Sequence, residues 1–171
     1  CPPYLVEGEP VSSTAVRKAI IAGDLAAAER LLGRRVSVMG RVVRGRRIGR
    51  LLGFPTANLQ TAGLAVVPCG IYAAEVTLEG RTLRAAMSVG SGPTARPADI
   101  APGTGPYAAA EHTVEVHIIG YDGDLTGKEI EARVVRKLRE ERRFPDYATL
   151  VAQIKKDIAA IETGAEPGEA T

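Results

Sequence analysis

The residues best suited to chemistry lie in a segment rich in glycine and arginine, GRVVRGRRIGRLLGFPTANL, residues 40–59. Gly45, Gly49 and Gly53 allow backbone amides to approach a polyanion closely, and Arg50 adds positive charge beside them. No GK[ST] follows, which excludes a Walker A loop, and no helical pattern begins at the last glycine, which excludes a Rossmann turn. The segment indicates a phosphate-binding loop, with a solvated hairpin as the alternative.

The end of this segment, PTAN, offers oxygen ligands. Pro55 restricts the backbone just before Thr56, and Thr56 and Asn58 are two residues apart. Their side chains therefore face the same way if the segment is extended. A hydroxyl and an amide oxygen together suit Mg²⁺, which prefers hard oxygen ligands. The alternative is structural, an ST-turn followed by an Asx-turn.

A carboxylate and an imidazole share one face of the alternating segment HTVEVHIIGY, residues 112–121. Glu115 is unusual in mid-strand, and phosphoryl transfer to an alcohol needs a carboxylate to orient the hydroxyl and accept its proton. His117 lies on the same face and is a candidate nucleotide contact. The structural alternatives are a solvent-facing glutamate and a hydrogen-bonded histidine.

The elements that must position these residues are mostly strands. Residues 12–33 carry N-cap and glycine signals that predict two short helices, and residues 147–161 have apolar residues at helical spacing. Between them, β-branched and alternating patterns predict five strands. These are residues 36–43, 71–80, 81–90, 112–121 and 129–136, interrupted by long loops at 44–58 and 90–111. Several strands and one closing helix indicate a mainly β fold, a small barrel or a sandwich.

Composition narrows the class of protein. Hydrophobic residues make up 45% and charged residues 25%, and the net charge is +2, which is typical of an ordinary soluble domain. Aromatic residues make up only 4%, without Trp, which argues against a stacking platform for nucleic acid. No signal peptide or membrane span is visible. Cys1 and Cys69 are expected to be reduced thiols, and the protein to be cytoplasmic, bound neither to membrane nor to nucleic acid, and monomeric.

The spacing G-x-V-x-x-G-x-x-x-G-R-x-L-G-F-P-T-A-N, residues 40–58, resembles the signature of riboflavin kinases at every fixed position. Four further segments fit that family in the same order, so that the resemblance covers residues 34 to about 160. They are PCGIYAAEV (68–76), SVGSGPT (88–94), VEVHIIGYDGDLTGKEI (114–130) and LREERRFPDYATLVAQIKKDI (138–158). One departure is Ala95, where the family usually has an aromatic residue, followed by an unusual loop over 95–111.

The resemblance implies a six-stranded antiparallel Greek-key barrel with a C-terminal helix, which transfers phosphate from ATP to riboflavin and yields FMN and ADP. It implies Glu115 as the catalytic base and Mg²⁺ held by Thr56 and Asn58. The residues implied for ATP are Gly45, Gly49, Arg50, Gly53, Pro55, Thr56, Asn58 and His117. Those implied for riboflavin are Gly70, Ile71, Tyr72, Glu115 and Arg139.

Residues 12–33, beginning SSTAVRKAI, resemble the end of the adenylyltransferase domain that precedes the kinase in bacterial bifunctional enzymes. The chain lacks an initiating Met and is expected to start within a longer protein. We therefore expect a remnant or linker over 1–33, the kinase barrel over 34–162, and a disordered tail over 163–171. Two other functions remain open: a non-catalytic flavin- or nucleotide-binding regulatory module, and a nucleic-acid-binding barrel.

Overall fold

The structure is a computed structural model and describes residues 5–6, 9–45, 48–61, 67–91 and 112–164. Strands account for more of the described chain than helices do, and two helices lie before the barrel, a single turn of helix within it and a long helix after it. In chain order the elements are β1 (Leu5–Val6), β2 (Glu9–Pro10), α1 (Ser13–Ala22), α2 (Leu25–Leu32), β3 (Ser37–Val43), α3 (Ile48–Leu51), β4 (Ala57–Gln60), β5 (Gly70–Leu78), β6 (Arg81–Ser91), β7 (His112–Ile118), β8 (Glu129–Arg139) and α4 (Tyr147–Thr163).

Six strands close into a barrel in the order β3-β4-β7-β6-β5-β8, and every neighbouring pair is antiparallel. Strands β5, β6 and β7 follow one another in the sequence and are neighbours in the sheet. The preceding strand, β4, lies beside β7, the last of these three. This is the Greek-key order. The expected mainly β fold with a six-stranded antiparallel barrel, short N-terminal helices and a C-terminal helix is therefore confirmed.

Alternation separates the two faces of β7 clearly, whereas register shifts interrupt it in β5. In β7, Val114, Val116 and Ile118 face the barrel interior and are 1%, 1% and 3% exposed, whereas Glu115 and His117 face outwards and are half-buried. Burying such β-branched side chains contributes about 1.5–3 kcal/mol each. The inner face thus stabilises the barrel and leaves the outer face free to carry polar groups.

The N-terminal helices cap as predicted and pack on the barrel. Ser12 accepts a hydrogen bond from the backbone of α1 and Asp24 from that of α2, and both helices end at a left-handed glycine. Ile20 and Ala28 are buried in the same apolar cluster as the barrel strands. The segment expected as a remnant or linker therefore shares a buried apolar cluster with the barrel.

The segment 44–58 differs from the single loop that the sequence predicts. It contains the one-turn helix α3, and it ends in β4, which pairs with β3 on one side and β7 on the other. A closed barrel leaves no unpaired edge, so four residues suffice for the sixth strand when both of its neighbours are in place. Strand β8 also extends beyond the predicted residue 136, to Arg139.

The expectations for the two ends and the second long loop are tested only in part. Thr163 is the last residue of α4 and Gly164 is its left-handed C-cap, so the helix enters the predicted tail. Residues 165–171, 92–111 and Cys1 lie outside the described residues. Within the described chain, no helix combines the length and apolar character that crossing a membrane requires.

Candidate active site

The strand register places the predicted site residues in one row on the outer face of the barrel. Asn58 of β4 is opposite Glu115 of β7, and Glu115 is opposite Ser88 of β6. Ser88 is in turn opposite Ile71 of β5, and Ile71 is opposite Arg139 of β8. Neighbouring strands lie about 4.8 Å apart, so each step along the row has a fixed length. We call these five residues the site row.

A cavity of about 470 Å³ lies between the site row and α4. Its barrel wall includes the whole site row, and its opposite wall is formed by α4 and the segment that precedes it. The residues of that opposite wall are Glu141, Arg142, Phe144, Leu150, Ile154 and Asp157, while Ile48, Gly49, Leu52 and Phe54 close the side formed by α3. The volume is within the range typical of sites for small organic ligands.

Glu115 lies beside the PTAN segment. The Thr56 hydroxyl is 3.5 Å from a Glu115 carboxylate oxygen, the outer limit of a hydrogen bond. Asn58 is directly opposite Glu115 in the strand register. A hydroxyl, a carboxamide and a carboxylate are thus brought together on one side of the barrel.

The glycines of the basic loop make this arrangement possible. A Cβ atom on Gly45 would overlap the Asn58 carboxamide, and one on Gly49 would overlap the Phe54 carbonyl oxygen and contact Thr56. Gly53 has a φ of 86°, in the left-handed region that favours glycine. The loop therefore packs directly on PTAN.

His117 contacts the residues at the start of the PTAN segment through its imidazole ring. Its Nδ1 lies 2.8 Å from the Pro55 carbonyl oxygen, and because a carbonyl only accepts, Nδ1 carries the proton and donates. The Phe54 ring packs edge-on against the imidazole, with ring centroids 5.7 Å apart. His117 also lines the larger cavity. These contacts position the loop, while the predicted nucleotide contact of His117 stays a prediction.

A second, smaller cavity of about 120 Å³ lies on the other side of Thr56. Arg44, Gly45, Arg50 and Pro55 line it together with the segment 121–126. Thr56 lines both cavities, so this residue stands where the two meet. The two arginines suit a phosphate chain, and Asp122 and Asp124 in the same lining offset part of their charge.

Arg139 is held in place by an ion pair that the sequence analysis missed. Its Nε lies 3.1 Å from both carboxylate oxygens of Asp157, and Nη2 donates to Oδ2 at 2.8 Å. Asp157 is only 7% exposed and also accepts from the Gln153 amide at 2.7 Å. A signal was present, because Asp157 lies between Ile154 and Ile161 on the apolar stripe of the helix. A lone carboxylate there indicates a buried partner.

Two residues implied for riboflavin do not line either cavity as the described chain defines them. Tyr72 is 1% exposed within the barrel, and its hydroxyl donates to the Pro68 carbonyl at 2.6 Å. Burial, with a smaller effect from the nearby Glu140 charge, raises the pKa of Tyr72 to about 12. Gly70 packs against Lys137 and the Arg139 carbonyl. Ile71, Glu115 and Arg139 do line the larger cavity.

The outer face of the barrel thus brings a carboxylate, a hydroxyl and an amide beside a basic glycine loop. The family model for flavokinase, described as riboflavin kinase, matches residues 32–164. The chain belongs to the riboflavin kinase family, which is a family of enzymes.

Relatives agree with this family. The chain is 36% identical over 162 residues to a bifunctional riboflavin kinase/FMN adenylyltransferase of Pseudomonas fluorescens, covering 95% of this chain and 49% of that protein. For its counterpart in Escherichia coli the identity is 37% over 151 residues, with 88% and 44% covered. An RNA-binding riboflavin kinase of Bacillus subtilis is 34% identical over 124 residues, with 72% and 49% covered. The chain thus spans about half the length of these relatives.

Among solved structures, the chain resembles one from Streptococcus pneumoniae that is described as a macrolide-efflux protein. The TM-score is 0.74 at 29% sequence identity, and the match covers 95% of this chain and 50% of that one. The match includes nearly the whole chain, so the resemblance extends to the helices that precede the barrel.

Proposed function

We propose that the chain transfers the γ-phosphoryl group of ATP to the 5′-hydroxyl of riboflavin and releases FMN and ADP. The observation that carries this proposal is the placement of Glu115 beside Thr56, where the two cavities meet. Phosphoryl transfer requires an alcohol and a phosphate chain to meet in line at one point. Membership of the riboflavin kinase family supports the choice of riboflavin as acceptor.

The larger cavity is the proposed riboflavin site. Apolar side chains on both walls, Ile71 on the barrel and Leu150 and Ile154 on α4, suit a flat heteroaromatic ring system. The smaller cavity, with Arg44 and Arg50, is the proposed site of the ATP phosphates. The two substrates then approach each other at Thr56.

Glu115 is the proposed base. A primary alcohol is a poor nucleophile at neutral pH, and a carboxylate within hydrogen-bond reach orients it and accepts its proton as the oxygen bonds to phosphorus. The bond from the γ-phosphorus to the bridging oxygen breaks, and ADP leaves with that electron pair. Because the transition state is largely dissociative, positioning contributes as much as basicity.

Thr56 and Asn58 are the proposed holders of Mg²⁺. Among the described residues, no group of three or more His, Cys, Asp or Glu side chains is placed to hold a metal ion. A neutral hydroxyl and carboxamide fit a Mg²⁺ ion that takes its remaining ligands from phosphates and water. When bound, Mg²⁺ neutralises charge on the transferring phosphate.

The proposal also covers the N-terminal residues 1–33 and the state in which the barrel module acts. Residues 1–33 are proposed to follow an adenylyltransferase domain, since the relatives named bifunctional are about twice as long as their matched region. The barrel module is proposed to act as a cytoplasmic monomer, without nucleic acid. A non-catalytic flavin-binding module is the weaker alternative, because binding alone requires no carboxylate beside the phosphate site.

The test is chromatography of a reaction containing the purified chain, riboflavin and Mg·ATP. We expect FMN and ADP in equal amounts, no product without Mg²⁺, and no FAD when FMN and ATP are supplied. Riboflavin that binds without forming FMN would favour the regulatory module instead. FAD formation by the purified chain would contradict the assignment of residues 1–33.

A further inference from the structure

Ser88 belongs to the site row, but the proposed phosphoryl transfer gives it no role. It also takes no part in the Arg139–Asp157 ion pair. Its neighbours Met87 and Val89 are fully buried in the barrel, so Ser88 must point outwards. It lies between Ile71 and Glu115 in the strand register and lines the larger cavity. It is half-buried, and its hydroxyl makes no hydrogen bond to any described residue. A polar group in such a position is free to meet a ligand.

The position of Ser88 within the site row matches the middle of the side chain of the proposed substrate. If riboflavin is the acceptor, its terminal hydroxyl must lie at Glu115, and its ring lies between Ile71 and the apolar side chains of α4. A five-carbon chain bearing three secondary hydroxyls connects the two. Ser88 is one strand, about 4.8 Å, from both Ile71 and Glu115, which is the stretch that this chain must cross.

We propose that Ser88 is a specificity-determining residue that hydrogen-bonds a secondary hydroxyl of the substrate's polyol chain. This inference rests on the proposed function. Serine can both donate to and accept from an alcohol, as a polyol requires. The contact aligns the terminal hydroxyl with Glu115, so that flavins with a polyol chain are favoured over flavins with a plain alkyl alcohol.

The experiment compares two acceptors in the wild-type chain and in Ser88→Ala. One acceptor is riboflavin, and the other is 10-(5-hydroxypentyl)flavin, which keeps the ring and the terminal alcohol but lacks the three secondary hydroxyls. Thr82→Ala is the matched control, because Thr82 is exposed and lies on the same face of the same strand, six residues earlier. Each kcat/KM is measured with saturating Mg·ATP.

For Ser88→Ala we expect kcat/KM for riboflavin to fall about 5- to 10-fold, as the loss of one neutral hydrogen bond predicts, and kcat/KM for the hydroxypentyl flavin to change less than about twofold. Thr82→Ala should change neither. Equal losses for both acceptors would overturn the proposal, since Ser88 would then act through Glu115 or the fold. No loss for riboflavin would overturn it as well. A wild-type chain that makes no FMN would instead remove the proposed function itself.

Discussion

The two walls of the larger cavity are built in different ways. The barrel wall, with Asn58, Ser88 and Glu115, is positioned by backbone hydrogen bonds of a closed sheet, in which every strand has two partners. The helix wall, with Leu150 and Ile154, rests on the barrel through side chains, above all the Arg139–Asp157 ion pair. The strand register therefore fixes the positions of residues on the barrel wall, whereas a few side-chain contacts fix those on the helix wall.

This difference suits two separate requirements of the proposed kinase reaction. Phosphoryl transfer requires atoms to be aligned closely, and a closed barrel holds its residues with little freedom. Recognition of the flavin ring requires an apolar surface that fits it, and a docked helix can adjust to that shape. We therefore expect changes on the barrel wall to lower the rate, and changes on the helix wall to lower affinity and stability.

The largest expected effect is on the barrel wall. Glu115→Gln keeps the size of the side chain but removes its charge and basicity, and kcat should fall about 10²- to 10⁴-fold. The KM values should change little, because the contact strengthens mainly in the transition state. Steady-state FMN formation measures both. Glu131→Gln, an exposed change on the outer face of β8, is the control, and a Glu115→Gln enzyme with normal kcat would exclude Glu115 as the base.

The next effect is on the helix wall. Asp157→Ala leaves the half-buried Arg139 guanidinium without its carboxylate partner, and the free energy of unfolding should fall by about 2–3 kcal/mol. Urea denaturation measures this loss, and Lys156→Gln, an exposed change on the same helix, is the control. The fraction of the Asp157→Ala variant that stays folded should have a raised KM for riboflavin and a nearly normal kcat. A large loss of kcat with unchanged KM would contradict the division between the walls.

A smaller effect is expected at Thr56 and Asn58, the proposed holders of Mg²⁺. Thr56→Ala and Asn58→Ala should each lower kcat/KM for Mg·ATP by the equivalent of about 2–3 kcal/mol, roughly 30- to 150-fold, without unfolding the barrel. Gln60→Ala on the same strand is the control. If thermal stability falls while the dependence on Mg·ATP stays normal, the two residues have a structural role and do not hold Mg²⁺.

The smallest effect concerns Tyr72, which belongs to neither wall. Because its pKa is raised to about 12 in the folded chain, the folded state keeps its proton longer than the unfolded state does. The wild-type chain should therefore lose stability as the pH rises from about 10 to 12, as proton linkage requires. Tyr72→Phe should weaken this dependence, cost about 1 kcal/mol at neutral pH by losing the bond to Pro68, and leave the riboflavin KM unchanged. A raised KM would restore the predicted riboflavin contact.

The sequence predicts the barrel wall better than the helix wall, for a physical reason. Alternation along β7 shows that Glu115 and His117 share a face, and the motif PTAN presents its candidate oxygen ligands directly. Strand β4 was missed because four residues form a strand only when both neighbours pair with them. The position of Asp157 on the apolar stripe of its helix predicts a partner, but tertiary packing decides that this partner is Arg139, 18 residues away. The resemblance placed Tyr72 near riboflavin, but the alternation of β5 turns it inwards.

The division between the two walls is tested most directly by one fluorescence titration of riboflavin, carried out with Mg·ADP present. The proteins compared are the wild-type chain, Glu115→Gln and the folded fraction of Asp157→Ala. We expect Glu115→Gln to bind riboflavin as tightly as the wild type, and Asp157→Ala to bind about 10-fold more weakly, as the loss of an oriented charged group predicts. The reverse result, with weak binding by Glu115→Gln and normal binding by Asp157→Ala, would contradict it.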